Sequence, residues 1–529
     1  MRYNGLFAAT YKLPGNLRRV CLAAFVLILI SSFTALAIAP ASDTNDDLRK
    51  LLRQADKLRR SGAFDQAESI LRRAVEMDPK RSEAMVELAY VLTKERKIRE
   101  SYDLAFKVAE AERKNSRAFA VLGMSLLTGG RFKDARMILY QAITLNKKEA
   151  LAWAGYGLLE FYENNISESL ANLRTAVSYE PNEPDYLFAL GQVSARSENY
   201  KEAAEAYDQF LSVSGSFDPD RRARIRGLIN FLRYLGDVGS LYVNQGNNDQ
   251  TSIPFELIGN RPIVQLRINR KPEKLPFVLD TGSGITVISD ETAKRLRVKP
   301  ITKGGFAKGI GGDGKFEIIY GLIREIAIGD VTVTNVPVYI RKFHQNGVPV
   351  AGYIGLSLIS KYLTTIDYGN KTFSLTKKDA DTKEFRQNND LSLPLRLTSS
   401  GFLSGEVQLE GIEAPLNFIV DTGASVSVIS DQVAKNEGIS PFANEEKLSV
   451  IGSAGITENV PTFQLPRVTF GSHSRTDITA VALDLDIINE ASGFQQSGIL
   501  GGNFLKNYRL TFDFKNSKVT FVSVNPEKE

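Results

Sequence analysis

The sequence predicts a multidomain chain, an all-α solenoid of helical repeats followed by an all-β pair of duplicated lobes. Three observations predict it. A 34-residue period runs through the first half, and a fixed offset of 141 lays one stretch of the second half over another. The third is the pair FVLDTGSGITVIS (277–289) and FIVDTGASVSVIS (418–430), each of which ends an apolar strand on an aspartate.

The chain begins with Arg2, Lys12, Arg18 and Arg19, then an uncharged run from Val20 to Ile38, small residues, and the acidic DTNDD. Basic before and acidic after fits a positive-inside orientation, so residues 1–41 are expected to be a signal peptide or a signal anchor. Ala35-Leu36-Ala37 and Ala37-Ile38-Ala39 offer cleavage sites, and cleavage stays open. The bulk of the chain is expected on the extracytoplasmic side, periplasmic or secreted, attached to the membrane only if the segment is retained.

Residues 44–236 form the expected solenoid. Phe64, Ile98, Phe132, Ile166 and Tyr200 recur every 34 residues, with a small residue three positions after each: Ala67, Ser101, Ala135, Ser169 and Ala203. A second register places Ala89, Gly123, Gly157 and Gly191 beside Leu88, Leu122, Tyr156 and Leu190. A large apolar residue, a small one where helices cross and a turn between units resemble the tetratricopeptide repeat, over about five units. Residues 218–236 read as a capping helix. The resemblance implies a concave face for a peptide or partner protein; a scaffold or dimerisation surface is the alternative.

Residues 237–252, rich in Gly, Asn and Asp, read as a linker. Beyond it the period changes to strands, with one lobe over 253–378 and another over 391–525. IGGDG (310–314) falls on IGSAG (451–455) at the offset of 141, and YIGLSLISKYLTTIDYGNKTFSL (353–375) falls on ILGGNFLKNYRLTFDFKNSKVTF (499–521) at 146. Each lobe thus has an Asp-Thr-Gly, a glycine-rich hairpin and an apolar-apolar-Gly.

These features resemble aspartic proteases of the retropepsin-like kind, two copies fused in one chain as in a pepsin. The resemblance implies Asp280 and Asp421 as a catalytic pair that activates water against a peptide bond; paired aspartates that share one proton are the known device of that family. It gives Thr281, Gly282, Ser283, Thr422 and Gly423 the task of supporting the loops. It makes the glycine hairpins, with Gly311, Gly312, Gly452 and Gly455, flaps that close over an extended substrate. Neither flap has a pepsin-type tyrosine, which favours a two-flap geometry. Ser283 has no hydroxyl counterpart at Ala424; a hydroxyl donated to Asp280 would leave Asp421 holding the proton. The pair is expected within one chain, with pairing between chains as the alternative.

Composition removes other chemistries. Cys21 is the single cysteine, so no disulfide within the chain and no thiolate cluster is possible. His344 and His473 are too few for a histidine-rich metal site and read as surface or loop residues. LDLD (483–486) reads as a solvated strand face. No metal or cofactor is expected. A balance of 66 basic and 61 acidic side chains gives a net charge of +5, partly in the N-terminal segment, and nucleic acid is not expected as a partner. The function that follows is an exported aspartic endopeptidase whose repeats recruit a substrate or regulator. The alternative is a non-catalytic adaptor that binds extended peptides and partner proteins.

Overall fold

A computed structural model of the chain describes residues 44–216, 218–246, 248–312, 314–344, 349–378 and 392–524. The expected signal segment lies outside them. Among the described residues no helix is long and apolar enough to cross a membrane. The described residues from Leu48 onward cluster into one unit in which repeats and lobes pack on one another.

Five helix pairs follow the 34-residue period: Thr44–Ser61 with Phe64–Met77, Ser82–Lys94 with Ile98–Ala111, Ser116–Thr128 with Phe132–Leu145, Ala150–Tyr162 with Ile166–Tyr179, and Pro184–Arg196 with Tyr200–Val213. A capping helix, Pro219–Val238, closes the array. The small residues sit where helices touch. Ala67, Ser101, Ala135, Ser169 and Ala203 are all fully buried. A Cβ on Gly123 would lie 2.6 Å from Leu139 Cγ, and one on Gly157 would lie 2.8 Å from Leu173 Cγ. The buried hydroxyls of Ser101 and Ser169 donate to the carbonyls of Ala89 and Gly157, both at 2.7 Å, which satisfies groups otherwise costly to desolvate.

A third register joins these two. The turn inside each pair holds one left-handed residue, at Gly62, Arg96, Gly130, Asn164 and Glu198, with φ from 63° to 86°. Four of these turns touch the β lobes. Arg96 donates to Gln495, the Gly130 carbonyl accepts from Asn417, Asn164 donates to the Phe514 carbonyl, and Glu198 pairs with Lys361. The contact is also apolar. Phe494 of the second lobe is fully buried, with ring centroids 4.9 Å from Phe132 and 5.0 Å from Tyr162. The capping helix lies on the first lobe instead, where Phe231 stacks on Tyr320 at 4.5 Å and Arg224 donates to the Phe306 carbonyl at 2.9 Å.

The stretch expected as a linker is not one throughout. Val243–Gln245 is a strand paired with Val331–Arg341, and a second strand has begun by Gln250. The two lobes share one sheet, in the order Ser392–Pro394, Lys518–Ser523, Tyr508–Asp513, Tyr362–Asp367, Thr372–Lys377, Gln250–Ile258. At its centre the hydroxyls of Thr365 and Thr511, equivalent at the offset of 146, meet at 3.1 Å. His473 is buried, contrary to its reading as a surface residue, with Nε2 3.0 Å from the Phe521 carbonyl. LDLD does not continue the strand either. The strand stops at Leu483, and Asp484 accepts from the Asp486 amide at the start of helix Asp486–Ser492.

Candidate active site

Each aspartate follows a short strand flanked by a parallel partner. Lys274–Leu279 pairs in parallel with Gly352–Ile354, and Leu416–Val420 with Gly498–Leu500. Alternation along the partner strands decides which apolar residues face where. Ile354 and Leu500 are buried behind the loops, whereas Tyr353 and Ile499 face the cavity above them.

The loops come together within one chain. The Thr281 hydroxyl donates to the Val420 carbonyl at 2.6 Å and accepts from the Thr422 amide at 3.1 Å. Thr422 mirrors it, donating to Leu279 at 2.7 Å and accepting from Thr281 at 3.2 Å. Both threonines are fully buried. This reciprocal set fixes the loops so closely that only glycine fits beside them. A Cβ on Gly282 would sit 2.3 Å from the Asp421 Cγ, and one on Gly423 would sit 2.6 Å from Asp280 Oδ1.

Asp280 and Asp421 are hydrogen-bonded to each other, and their environments differ. Burial raises the Asp280 carboxyl well above the usual carboxylate range, and the nearby Asp421 charge raises it further, against one amide at Gly282, 3.0 Å away. Burial raises Asp421 as well, but its hydrogen bond with Asp280 and the amides of Gly423 (2.7 Å), Ala424 (3.2 Å) and Gly282 counter that. The amides thus favour negative charge on Asp421, while burial beside that charge favours a proton on Asp280. This reverses the assignment built on Ser283, whose hydroxyl turns away to the Ile285 carbonyl at 3.0 Å.

The glycine hairpins close over the pair. Strands Pro300–Lys308 and Lys315–Ile328 carry one tip, and Ala443–Ile451 and Ile456–Phe470 carry the other. The tips bond to each other. Ala454 donates to the Ile310 carbonyl at 2.8 Å, and Gly312 donates to Ile456 at 3.2 Å. A Cβ at Gly311, where φ is +92°, would fall 2.2 Å from the Gly455 carbonyl oxygen, and one at Gly452 would fall 2.2 Å from that of Ile310. Arg341, which nothing in its sequence context marks out, donates to the Ser453 carbonyl at the second tip.

The two loops, both tips and the inner helices of the repeats line one continuous cavity of about 1440 Å³. Tyr90, Tyr186 and Arg196 enter it from the solenoid, and Asp280 and Asp421 lie on the lobe side. Among the described residues, no cluster of His, Cys, Asp or Glu could hold a metal ion.

Comparison with known proteins places both halves. A family model for aspartyl proteases matches residues 264–358 and 405–504, and two tetratricopeptide-repeat models match 58–124 and 156–219. Among solved structures, an aspartic proteinase from Irpex lacteus matches over 52% of this chain and 97% of its own, at 12% identity and a TM-score of 0.36. A tetratricopeptide-repeat protein from Thermus thermophilus matches over 34% of this chain and 98% of its own, at 21% identity and 0.30. YrrB, a tetratricopeptide-repeat protein with an unusual peptide-binding site, matches over 36% and 98%, at 20% and 0.22. A search of curated proteins finds no match. The chain carries tetratricopeptide repeats in its N-terminal half and an aspartyl-protease domain in its C-terminal half.

Proposed function

We propose that the protein is an exported aspartic endopeptidase whose repeats hold a substrate or regulator against its cleft. One observation carries this reading: Asp280 and Asp421 share a hydrogen bond beneath two closed flap tips, with unequal claims on a proton. An amide is a poor electrophile and water a poor nucleophile, so a base and an acid must act together. Asp421 takes a proton from water as its oxygen bonds to the peptide carbon, and Asp280 gives its proton to the carbonyl oxygen. The resulting gem-diol then collapses as Asp280 takes back a proton from one of its hydroxyls and the C=O re-forms, the C–N bond breaks, and the amine leaves with the proton that Asp421 had taken. The flaps supply backbone groups that an extended peptide can pair with like an added strand.

Export rests on the charge pattern around Val20–Ile38. A reporter active only outside the cytoplasm, fused after Glu529, tests it; no reporter activity would refute it. The peptidase reading is tested by offering the protein a diverse peptide mixture between about pH 3 and 7, the range in which such pairs titrate, beside Asp280→Asn and Asp421→Asn. Loss of cleavage in both variants is expected. Cleavage surviving in either refutes a shared site, and peptides bound but never cut would leave the adaptor reading.

A further inference from the structure

Arg196 is the last residue of helix Pro184–Arg196, a place where a basic side chain is ordinary. Its surroundings are not. It lines the same cavity as the two aspartates. A Cβ on Gly401 would come within 2.6 Å of an Arg196 terminal nitrogen and 3.5 Å of the Cα of Gly284, in the loop that begins at Asp280. The repeat arm thus sets a guanidinium beside the active-site loop of the first lobe.

That guanidinium lacks an anionic partner. No carboxylate among the described residues pairs with it, and its guanidinium carbon lies 6.0 Å from the centre of the Phe161 ring. Several other charges along the cavity are matched, Arg221 lies over the Phe188 and Phe210 rings, and Arg261 shares with Arg196 the lack of a carboxylate partner among the described residues. Asp185 pairs with Lys94, Glu490 with Lys308 and Glu198 with Lys361. Arg341 and Arg96 are engaged by the Ser453 carbonyl and by Gln495. Partial desolvation in the cavity wall, with no carboxylate beside it, brings Arg196 down to about 10 from its ordinary value. A half-buried cation without a counter-charge is poorly compensated in the free protein, and a ligand that supplies the missing charge gains a charge-assisted hydrogen bond on binding.

We propose that Arg196 is a specificity-determining residue of the cleft and that the peptides taken there present it with a carboxylate. The inference rests on the peptidase reading for the position of the scissile bond, while the binding it describes can be measured without cleavage. The carboxylate comes from a Glu or Asp side chain or from the peptide's own C-terminus.

The test uses the full chain carrying Asp421→Asn, which removes one of the two carboxylates. The probes are fluorescein-labelled, C-amidated apolar peptides of about ten residues, with one Glu moved through each position, a Gln-matched set, and one set with a free C-terminus. A charge-assisted hydrogen bond contributes about 1.5–3 kcal/mol, so Glu over Gln at the preferred position, or the free terminus over the amide, is expected to tighten Kd by about 10- to 100-fold. Arg196→Gln should erase that preference and leave the neutral peptides within about twofold. Arg196→Lys should restore part of it, and neither substitution should lower the thermal midpoint. A preference that survives Arg196→Gln, or no carboxylate preference in any set, overturns the proposal. A preference that depends on Arg196, in a protein whose wild-type form cuts nothing, would refute the peptidase reading and leave this one standing.

Discussion

Thr281→Val isolates what the threonine pair contributes. Valine keeps nearly the shape of threonine and removes one oxygen. The Thr422 amide then loses its acceptor in a site with no water access, at about 1–3 kcal/mol, and the Val420 carbonyl loses a donor, at about 1 kcal/mol more. The local cost is therefore about 2–4 kcal/mol, or about 30- to 1,000-fold in the opening equilibrium of the paired loops. Amide hydrogen exchange reads this residue by residue. The Thr422 amide should exchange faster by that factor. The Thr281 amide, still bonded to the Thr422 hydroxyl, should be accelerated much less. Thr281→Ser, which keeps the oxygen, should leave the Thr422 amide close to wild type. A change below about fivefold at Thr422 in the valine variant would refute the argument, as would equal acceleration in the serine variant.

Asp280→Asn should raise the thermal midpoint at neutral pH. An acid raised by burial binds more protons folded than unfolded, so its unfavourable contribution grows as pH rises above the ordinary value of about 4, and the gain of the variant should vanish below it in a pH series of melting curves. Gly452→Ala sets a methyl against the Ile310 carbonyl and should part the flap tips, raising KM several-fold and exposing 309–314 to a test protease. Phe494→Ala empties a fully buried site between the second lobe and the repeats and should cost about 3–5 kcal/mol, seen as a lowered unfolding midpoint and as cleavage near 239–249 by added protease. Glu183→Ala removes two hydrogen bonds of the buried Arg59, at 2.8 and 2.9 Å, leaves it only Asp56 at 2.7 Å, and should cost about 1.5–3 kcal/mol in the melting of the repeats.

Periodicity made the solenoid legible, because the residues that pack between helices must be large or small in both registers. The left-handed turns escaped notice although they keep the same period. Gly, Arg, Gly, Asn and Glu share a backbone conformation there and no side-chain chemistry. The lobes were legible for a similar reason, since duplication repeats whole strands with their aspartates. What the offset could not carry was direction. Ser283 was assigned to Asp280, but its hydroxyl is captured by a carbonyl two residues on. The docking of repeats on lobes was invisible for want of any pattern: Arg96 meets Gln495, and Phe132 meets Phe494, through single contacts between residues hundreds of positions apart.

The capping helix has a mechanical consequence for the cleft. Gly227 lies so close to the first hairpin that a Cβ there would fall 2.3 Å from the Lys303 carbonyl oxygen, and Phe231 and Arg224 grip the same hairpin on either side of that point. Two flaps that look alike in sequence are therefore unequal in freedom. The first is clamped to the last helix of an array that is itself fastened to both lobes, whereas the second is held by its own lobe, where Leu448 and Val450 pack, by its tip contacts and by Arg341. That inequality would make opening a one-handed movement, with the second hairpin swinging away and the first serving as a fixed jamb. A load that bends the solenoid, such as a bound protein pulling on its inner face, would reach the cleft through that jamb before it reached the aspartates.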